Sequence, residues 1–215
     1  MISAVLFDHD GTLVDAEPAH QRLWNDVLAP YGVVISDEEY RLRYAGLPER
    51  ASAIDIVSFY NLDAEPASLQ RVKQEAARAY LSQSAFPLMP GAREAVTTLA
   101  ARGVRMAVVT GAERSGIEAT VRAYQWDSMF ETIVSGQDVA HSKPAPDGYL
   151  LALQRLALPA RACVAIEDTA HGVNAAAAAG IRCLAVPTAM TLHQDFTNAS
   201  SIHVTLHEAM TVIAR

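Results

Sequence analysis

The chain has 215 residues and a net charge of −7, with 51% of residues hydrophobic and 19% charged. That length suits one well-buried domain, or one domain with a smaller insert. The acidic balance argues against a phosphate-backbone binder, and no apolar run reaches the ~18 residues of a membrane span, so neither nucleic acid nor membrane is expected as a partner. The opening "MISAVLFD" has no basic leader region and reaches an acid at Asp8. Cys163 and Cys183 both sit in apolar runs and read as reduced core residues, which makes a cytoplasmic protein the expectation.

In chain order, the first predicted element is a strand, "SAVLFD" (3–8). Residues 17 to 86 then show no strand pattern. They read as four helices, "PAHQRLWNDVLAPYG", "SDEEYRLRYAG", "ERASAIDIVSFYN" and "EPASLQRVKQEAARAYLSQS". A helix follows at 90–103, opening on Pro90 and closing at Gly103. Strands are predicted at 105–110, 132–135, 163–168 and 182–187, with helices at 145–158 and 171–180 between them. These strands are rich in Val, Ile and Ala and barely alternate, the pattern of strands buried on both faces. Alternating strands and helices predict an α/β fold: a Rossmann-like parallel sheet core, residues 1–15 and 88–215, with a small all-helical cap, 16–87, inserted after the first strand. Trp24 and Trp126 are expected as core anchors, and His203 and His207, at i,i+4 spacing, as surface residues.

In open parallel sheets, ligands bind beyond the carboxyl ends of the strands. There the sequence places Asp8 and Asp10 after the first strand, Thr110, Gly111 and Ala112 after the second, Lys143 after the third and Glu167–Asp168 after the fourth. Carboxylates without a His/Cys set favour a hard cation, best Mg²⁺. Mg²⁺ and Lys143 together would attract a phosphate dianion. A carboxylate can attack phosphorus to give an aspartyl-phosphate, and a second acid can serve the leaving oxygen and then water.

These segments resemble the four signatures of the haloacid dehalogenase-like phosphohydrolases: "FDHDGTLVD", "VVTGA", "SKPAPDGYL" and "IEDTAHGVNAAAAAG", in the family's order from Asp8 to Gly180. The helical insert resembles the family's small α-helical cap, and the β-phosphoglucomutase-like phosphatases look most similar. The resemblance implies that Asp8 is nucleophile and metal ligand. It implies that Asp10 is general acid/base and touches the metal through its main-chain carbonyl. Thr110 and Lys143 would hold the phosphoryl group, helped by N–H groups of Gly111 and Ala112 or by Arg114, and Asp168 and Glu167 would ligate Mg²⁺.

His9 lies where relatives usually carry an apolar or small residue; strand alternation points it away from the acids, toward packing or a hydrogen bond. His20, on the first cap helix, stands where similar enzymes aim a histidine at the site. The cap loop "YAGLPERAS" (44–52) brings Gly46, Leu47, Glu49 and Arg50 as substrate-binding candidates. Mutases grip a second phosphate with cations flanking this loop. Here Ala45 and Glu49 take such places, and Arg50 is shifted by one. The expectation is therefore an Mg²⁺-dependent phosphatase of a small phosphorylated metabolite, a sugar or polyol phosphate, working as a monomer or weak dimer. A β-phosphoglucomutase-like isomerase is the alternative, and a silent phosphate-binding protein is less favoured.

Overall fold

Every residue of the first strand, β1 (Ala4–Phe7), is fully buried, because both of its faces meet apolar side chains. Val5 and Phe7 join one cluster with Val96, Leu99, Ile117 and Leu206, whereas Ala4 and Leu6 join another with Tyr149, Leu156 and Val173. The remaining strands are β2 (Arg105–Val109), β3 (Thr132–Val134), β4 (Cys163–Glu167), β5 (Arg182–Ala185) and β6 (Ser201–Ile202). They form one sheet of order β3–β2–β1–β4–β5–β6, with every pairing parallel. The chain leaves β3 at one edge and returns on the other side of β1 as β4, so the strand order reverses beside β1, where such sheets open a crevice. The computed structural model describes residues 2–213.

After β1 the chain enters a layer of four α-helices: α1 (Glu17–Leu28), α2 (Asp37–Arg43), α3 (Glu49–Phe59) and α4 (Pro66–Gln83). The Ser36 hydroxyl caps α2 by accepting from the Glu39 N–H at 3.2 Å, an arrangement worth about 1 kcal/mol. Acids Asp37, Glu38 and Glu39 occupy its first turn, and Arg41 and Arg43 its last, each sign matching the helix dipole. The four helices bury a cluster of their own, including Trp24, Leu28, Ile35, Tyr44, Ile56 and Leu69. Met190, from the loop after β5, packs against it.

On the sheet, α5 (Ala92–Ala101), α6 (Arg114–Tyr124) and α9 (Leu206–Ile213) cover one face; α7 (Asp147–Leu156) and α8 (Ala170–Ala178) cover the other. Tyr149 and the alanines of α8 are buried in that layer against the sheet. The predicted strands and helices all form, each within a few residues of its expected ends. The short edge strand β6 and helices α6 and α9 were not expected. Trp24 and Trp126 are each 2% exposed, and both cysteines are buried and unpaired. Of the two histidines expected at the surface, His207 on α9 is exposed, whereas His203, before that helix, is half-buried with its ring 2.8 Å from the Ser201 hydroxyl. Among the described residues, no helix is long and apolar enough to cross a membrane.

Candidate active site

Asp8 follows β1 directly, 6% exposed, with its main-chain N–H still paired to Ile166 in β4. The next turn is tight: Gly11 N–H donates to the Val14 carbonyl at 2.7 Å. Gly11 has φ +83, and a Cβ there would lie 2.1 Å from Asp168 Oδ2. Only glycine gives the turn its sign and leaves room for that carboxylate. Asp168 and Glu167 come from the end of β4, and Lys143 from the loop before α7.

Lys143 Nζ lies 2.5 Å from Asp8 Oδ1 and 2.6 Å from Glu167 Oε1, and donates to the Val109 carbonyl at 2.8 Å. Burial pulls the lysine's pKa down, but the two carboxylates more than offset this and hold it above its usual value. Glu167 is fully buried and accepts the Tyr149 hydroxyl at 2.5 Å. Burial pushes Glu167 up to about 7 against the pull of Lys143. Asp168 is pushed well up by burial and by repulsion from Asp8 and Glu167.

Oxygen atoms of Asp8, Glu167 and Asp168 lie within 4.8 Å of one another. Both Asp168 oxygens and Glu167 Oε2 are buried without a hydrogen-bond partner. Buried carboxylates left unpaired are costly, and a hard divalent cation is the group that this all-oxygen set fits. The Asp10 side chain is not in that cluster.

Asp10 faces two histidines instead. His9 Nδ1 lies 2.6 Å from its Oδ1, and His20 Nε2, from α1, lies 3.3 Å from its Oδ2. Burial would raise the carboxyl, but the charge and hydrogen bonds of both rings outweigh it and hold Asp10 well below the usual range. This corrects the expectation that His9 points away from the acids. Strand alternation stops at Phe7, where β1 ends, and the turn that follows reorients the ring.

Thr110 closes the other side. Its hydroxyl accepts the Ala112 N–H at 3.1 Å, which leaves the hydroxyl proton free for the cleft. The Ala112 N–H is therefore engaged by Thr110 rather than offered directly to a phosphate. Arg114 is turned elsewhere, 2.7 Å from Asp138.

Over these groups lies a cleft of about 120 Å³, lined also by Glu17, Trp24, Gly46, Leu47, Glu49 and Lys73. The cap supplies residues that sequence reasoning passed over. Lys73, 1% exposed on α4, lies 2.9 Å from His20 Nδ1 and is ion-paired with Glu49. Buried Glu17 accepts from the Tyr40 hydroxyl at 2.6 Å and from the Gly46 N–H at 2.9 Å. The signal for Lys73 was a lone lysine on the apolar side of an amphipathic helix; Glu17 had only its closeness to His20. Arg50 does not reach this cleft. It is exposed and lines an adjoining outer cleft with Gln70, Gln74 and Gln137.

A water-poor carboxylate held against a lysine, at the switch point of a parallel sheet and beneath a helical lid, defines a capped α/β hydrolase that works on phosphoryl groups. The chain belongs to the haloacid dehalogenase-like hydrolase family, whose model matches residues 5–186. It is 36% identical to the protein CbbY of Rhodobacter capsulatus over 92% of this chain and 91% of that protein. It is also 36% identical to the fructose-1-phosphate phosphatase YqaB of Escherichia coli, over 83% of this chain and 93% of that one. The crystal structure of CbbY from Rhodobacter sphaeroides in complex with xylulose-(1,5)bisphosphate superposes with a TM-score of 0.81 at 32% identity, over 95% of each chain. The chain is a phosphoric monoester hydrolase.

Proposed function

We propose that this enzyme hydrolyses the monophosphate ester of a small sugar or polyol, with Asp8 as the nucleophile. The observation that carries the reading is the convergence of Asp8, Lys143, Asp10 and Thr110 on one small cleft. Lys143 holds Asp8 Oδ1, which leaves Oδ2 to attack phosphorus as the ester P–O bond breaks. Asp10 gives the leaving oxygen its proton. It then takes one from the water that attacks the phosphorylated Asp8, which frees inorganic phosphate and restores the carboxylate. The histidines keep free Asp10 ionised; an incoming phosphate dianion raises its proton affinity, so that Asp10 takes up a proton from solvent as the substrate binds. Thr110, the Gly111 N–H and Lys143 hold the phosphoryl oxygens. Mg²⁺, held by Asp8, Glu167 and Asp168, would neutralise charge on the transferring group.

The cap favours a monophosphate. Among the described residues, Lys73 is the one lysine or arginine lining the inner cleft from the cap, and it is already matched by Glu49. Glu17 adds a second acid there. A neutral, hydroxyl-rich group suits such a lining better than a second phosphate, which also disfavours a mutase working through a bisphosphate.

The test is steady-state phosphate release from fructose 1-phosphate, hexitol 6-phosphates and xylulose 1,5-bisphosphate, with Mg²⁺ and with EDTA, beside Asp8→Asn. Metal-dependent release that disappears in Asp8→Asn is expected. Release that survives that substitution would refute the assignment of the nucleophile.

A further inference from the structure

His9 is buried next to the reacting groups, and the scheme above uses only its effect on the charge of Asp10. It is 1% exposed, and Thr120 on α6, also 1% exposed, is its second partner, with Oγ1 2.9 Å from Nε2. With a proton on Nδ1 the ring donates to Asp10 Oδ1, while Thr120 Oγ1 holds Nε2 on the opposite side. The two residues are 111 positions apart, yet both belong to the sheet and its covering layer, not to the cap. The other histidine on Asp10, His20, rides on the cap helix α1 and makes the longer contact.

We propose that His9, anchored by Thr120, is a positioning residue that locks the plane of the Asp10 carboxyl group and makes Oδ2, which has only the longer contact to His20, the oxygen that exchanges a proton with the substrate. This rests on the reading of Asp10 as the acid/base. A carboxyl free to rotate presents either oxygen to the cleft. With Oδ1 held by the ring, a proton carried by Asp10 must sit on Oδ2, the side that faces His20 and the cleft. In the first step the ester P–O bond breaks and the leaving oxygen takes the proton from Oδ2. In the second, water forms a P–O bond, the Asp8–phosphorus bond breaks, and the water proton returns to Oδ2. His9 keeps its Nδ1 proton throughout. Because its anchor lies in the sheet layer, this restraint does not depend on the position of the cap.

The leaving group provides the test. A sugar alkoxide needs a proton to depart, whereas 4-nitrophenolate does not. The value of kcat/KM reports the steps up to transfer onto Asp8, so it isolates the acid role. It is measured for fructose 1-phosphate, or the panel sugar phosphate turned over fastest, and for 4-nitrophenyl phosphate, with each variant at its own pH maximum. For His9→Leu, kcat/KM for the sugar phosphate is expected to fall about 10- to 100-fold, part of what a general acid supplies, with the aryl ester changing less than about threefold. His9→Asn, whose amide can still donate to Asp10, is expected to recover most of the loss. Thr120→Val, which removes the anchor alone, is expected to show the same selectivity at smaller size. Asp10→Asn is the reference, with the largest selective loss, and His9→Leu should add nothing to it. Equal losses on both esters in His9→Leu and Thr120→Val, or no loss on either, would overturn the proposal while leaving Asp10 as the acid. A flat response in Asp10→Asn would instead remove the acid itself, and the proposal with it.

Discussion

Lys143 Nζ stands 2.5 Å from Asp8 Oδ1 with its side chain only 12% exposed, so the nucleophile carries its own counter-charge before any substrate arrives. Lys143→Met would leave Asp8 and Glu167 buried without that cation. Removing one partner of a buried ion pair costs ~3–5 kcal/mol. Loss of a positioned charge at the phosphoryl group costs ~10²–10³ in kcat. Urea unfolding and steady-state phosphate release measure the two separately. A variant within threefold of the native rate would take Lys143 out of the phosphoryl site.

Metal and pH should act together on stability. Burial and mutual repulsion raise Glu167 to about 7 and push Asp168 up as well, whereas unfolded carboxyls titrate near their ordinary values of about 4. A folded pKa above the unfolded one gives stability that is full below about pH 4 and is lost as pH rises through the folded value. The Tm of the metal-free protein should therefore fall between pH 5 and pH 8. Ligands must be deprotonated to bind, so the rise in Tm on adding Mg²⁺ should be larger at pH 8 than at pH 5. Thermal melts with EDTA and with Mg²⁺ at both pH values check this. An Mg²⁺ effect of equal size at both would place the metal away from these acids.

Glu49 sets the charge that a substrate meets beneath the cap. Glu49→Gln would release Lys73 from its ion pair and turn a balanced lining into a cationic one. The ratio of kcat/KM for xylulose 1,5-bisphosphate to that for fructose 1-phosphate should rise about tenfold, the equivalent of ~1.4 kcal/mol of charge interaction. A ratio that stays constant would show that Lys73 does not face the distal group of the substrate.

Gly46 is where the cap loop meets the sheet layer. Its φ is +71, and a Cβ there would come within 2.5 Å of Thr169 Cγ2. Gln194 spans the same junction, donating to the Ala45 carbonyl at 3.3 Å and accepting the Ala170 N–H at 2.8 Å. Gly46→Ala adds backbone strain of about 1 kcal/mol or more and pushes the loop away from Thr169. A loss of about tenfold in kcat/KM is expected, with a fall in Tm of only a few degrees. Unchanged kinetics would mean that this contact is not needed for turnover.

Tyr149 holds the acid pair from below by donating to Glu167 at 2.5 Å. Tyr149→Phe leaves Glu167 Oε1 to Lys143 alone and loosens the orientation of the carboxylate, and outer partners of this kind are worth ~10–100-fold in metal affinity. The Mg²⁺ concentration for half-maximal activity should rise accordingly. An unchanged value would detach Glu167 from the metal.

The sheet and its row of strand-end groups were legible in the sequence, because both follow from local pattern. Apolar runs of strand length mark β1, β2, β4 and β5, and Asp8, Thr110 and Glu167–Asp168 stand where those runs stop. Once the strands are parallel and adjacent, their ends must converge. Pairings between distant side chains had no such local rule. Lys73 and His20 are 53 residues apart, on helices whose facing sides depend on how the cap packs. His9 was misplaced because the period-two rule ends with the strand, and the ring's direction is chosen by a turn and by a hydroxyl on α6. Arg50, one position from Glu49, faces outward because neighbours on a helix point about 100° apart, and only the packed cap decides which of the two meets the cleft. The chain alone determined which chemical groups reach the edge of the sheet. The tertiary structure decided which charges are neutralised there, because burial and pairing are properties of contacts rather than of residues.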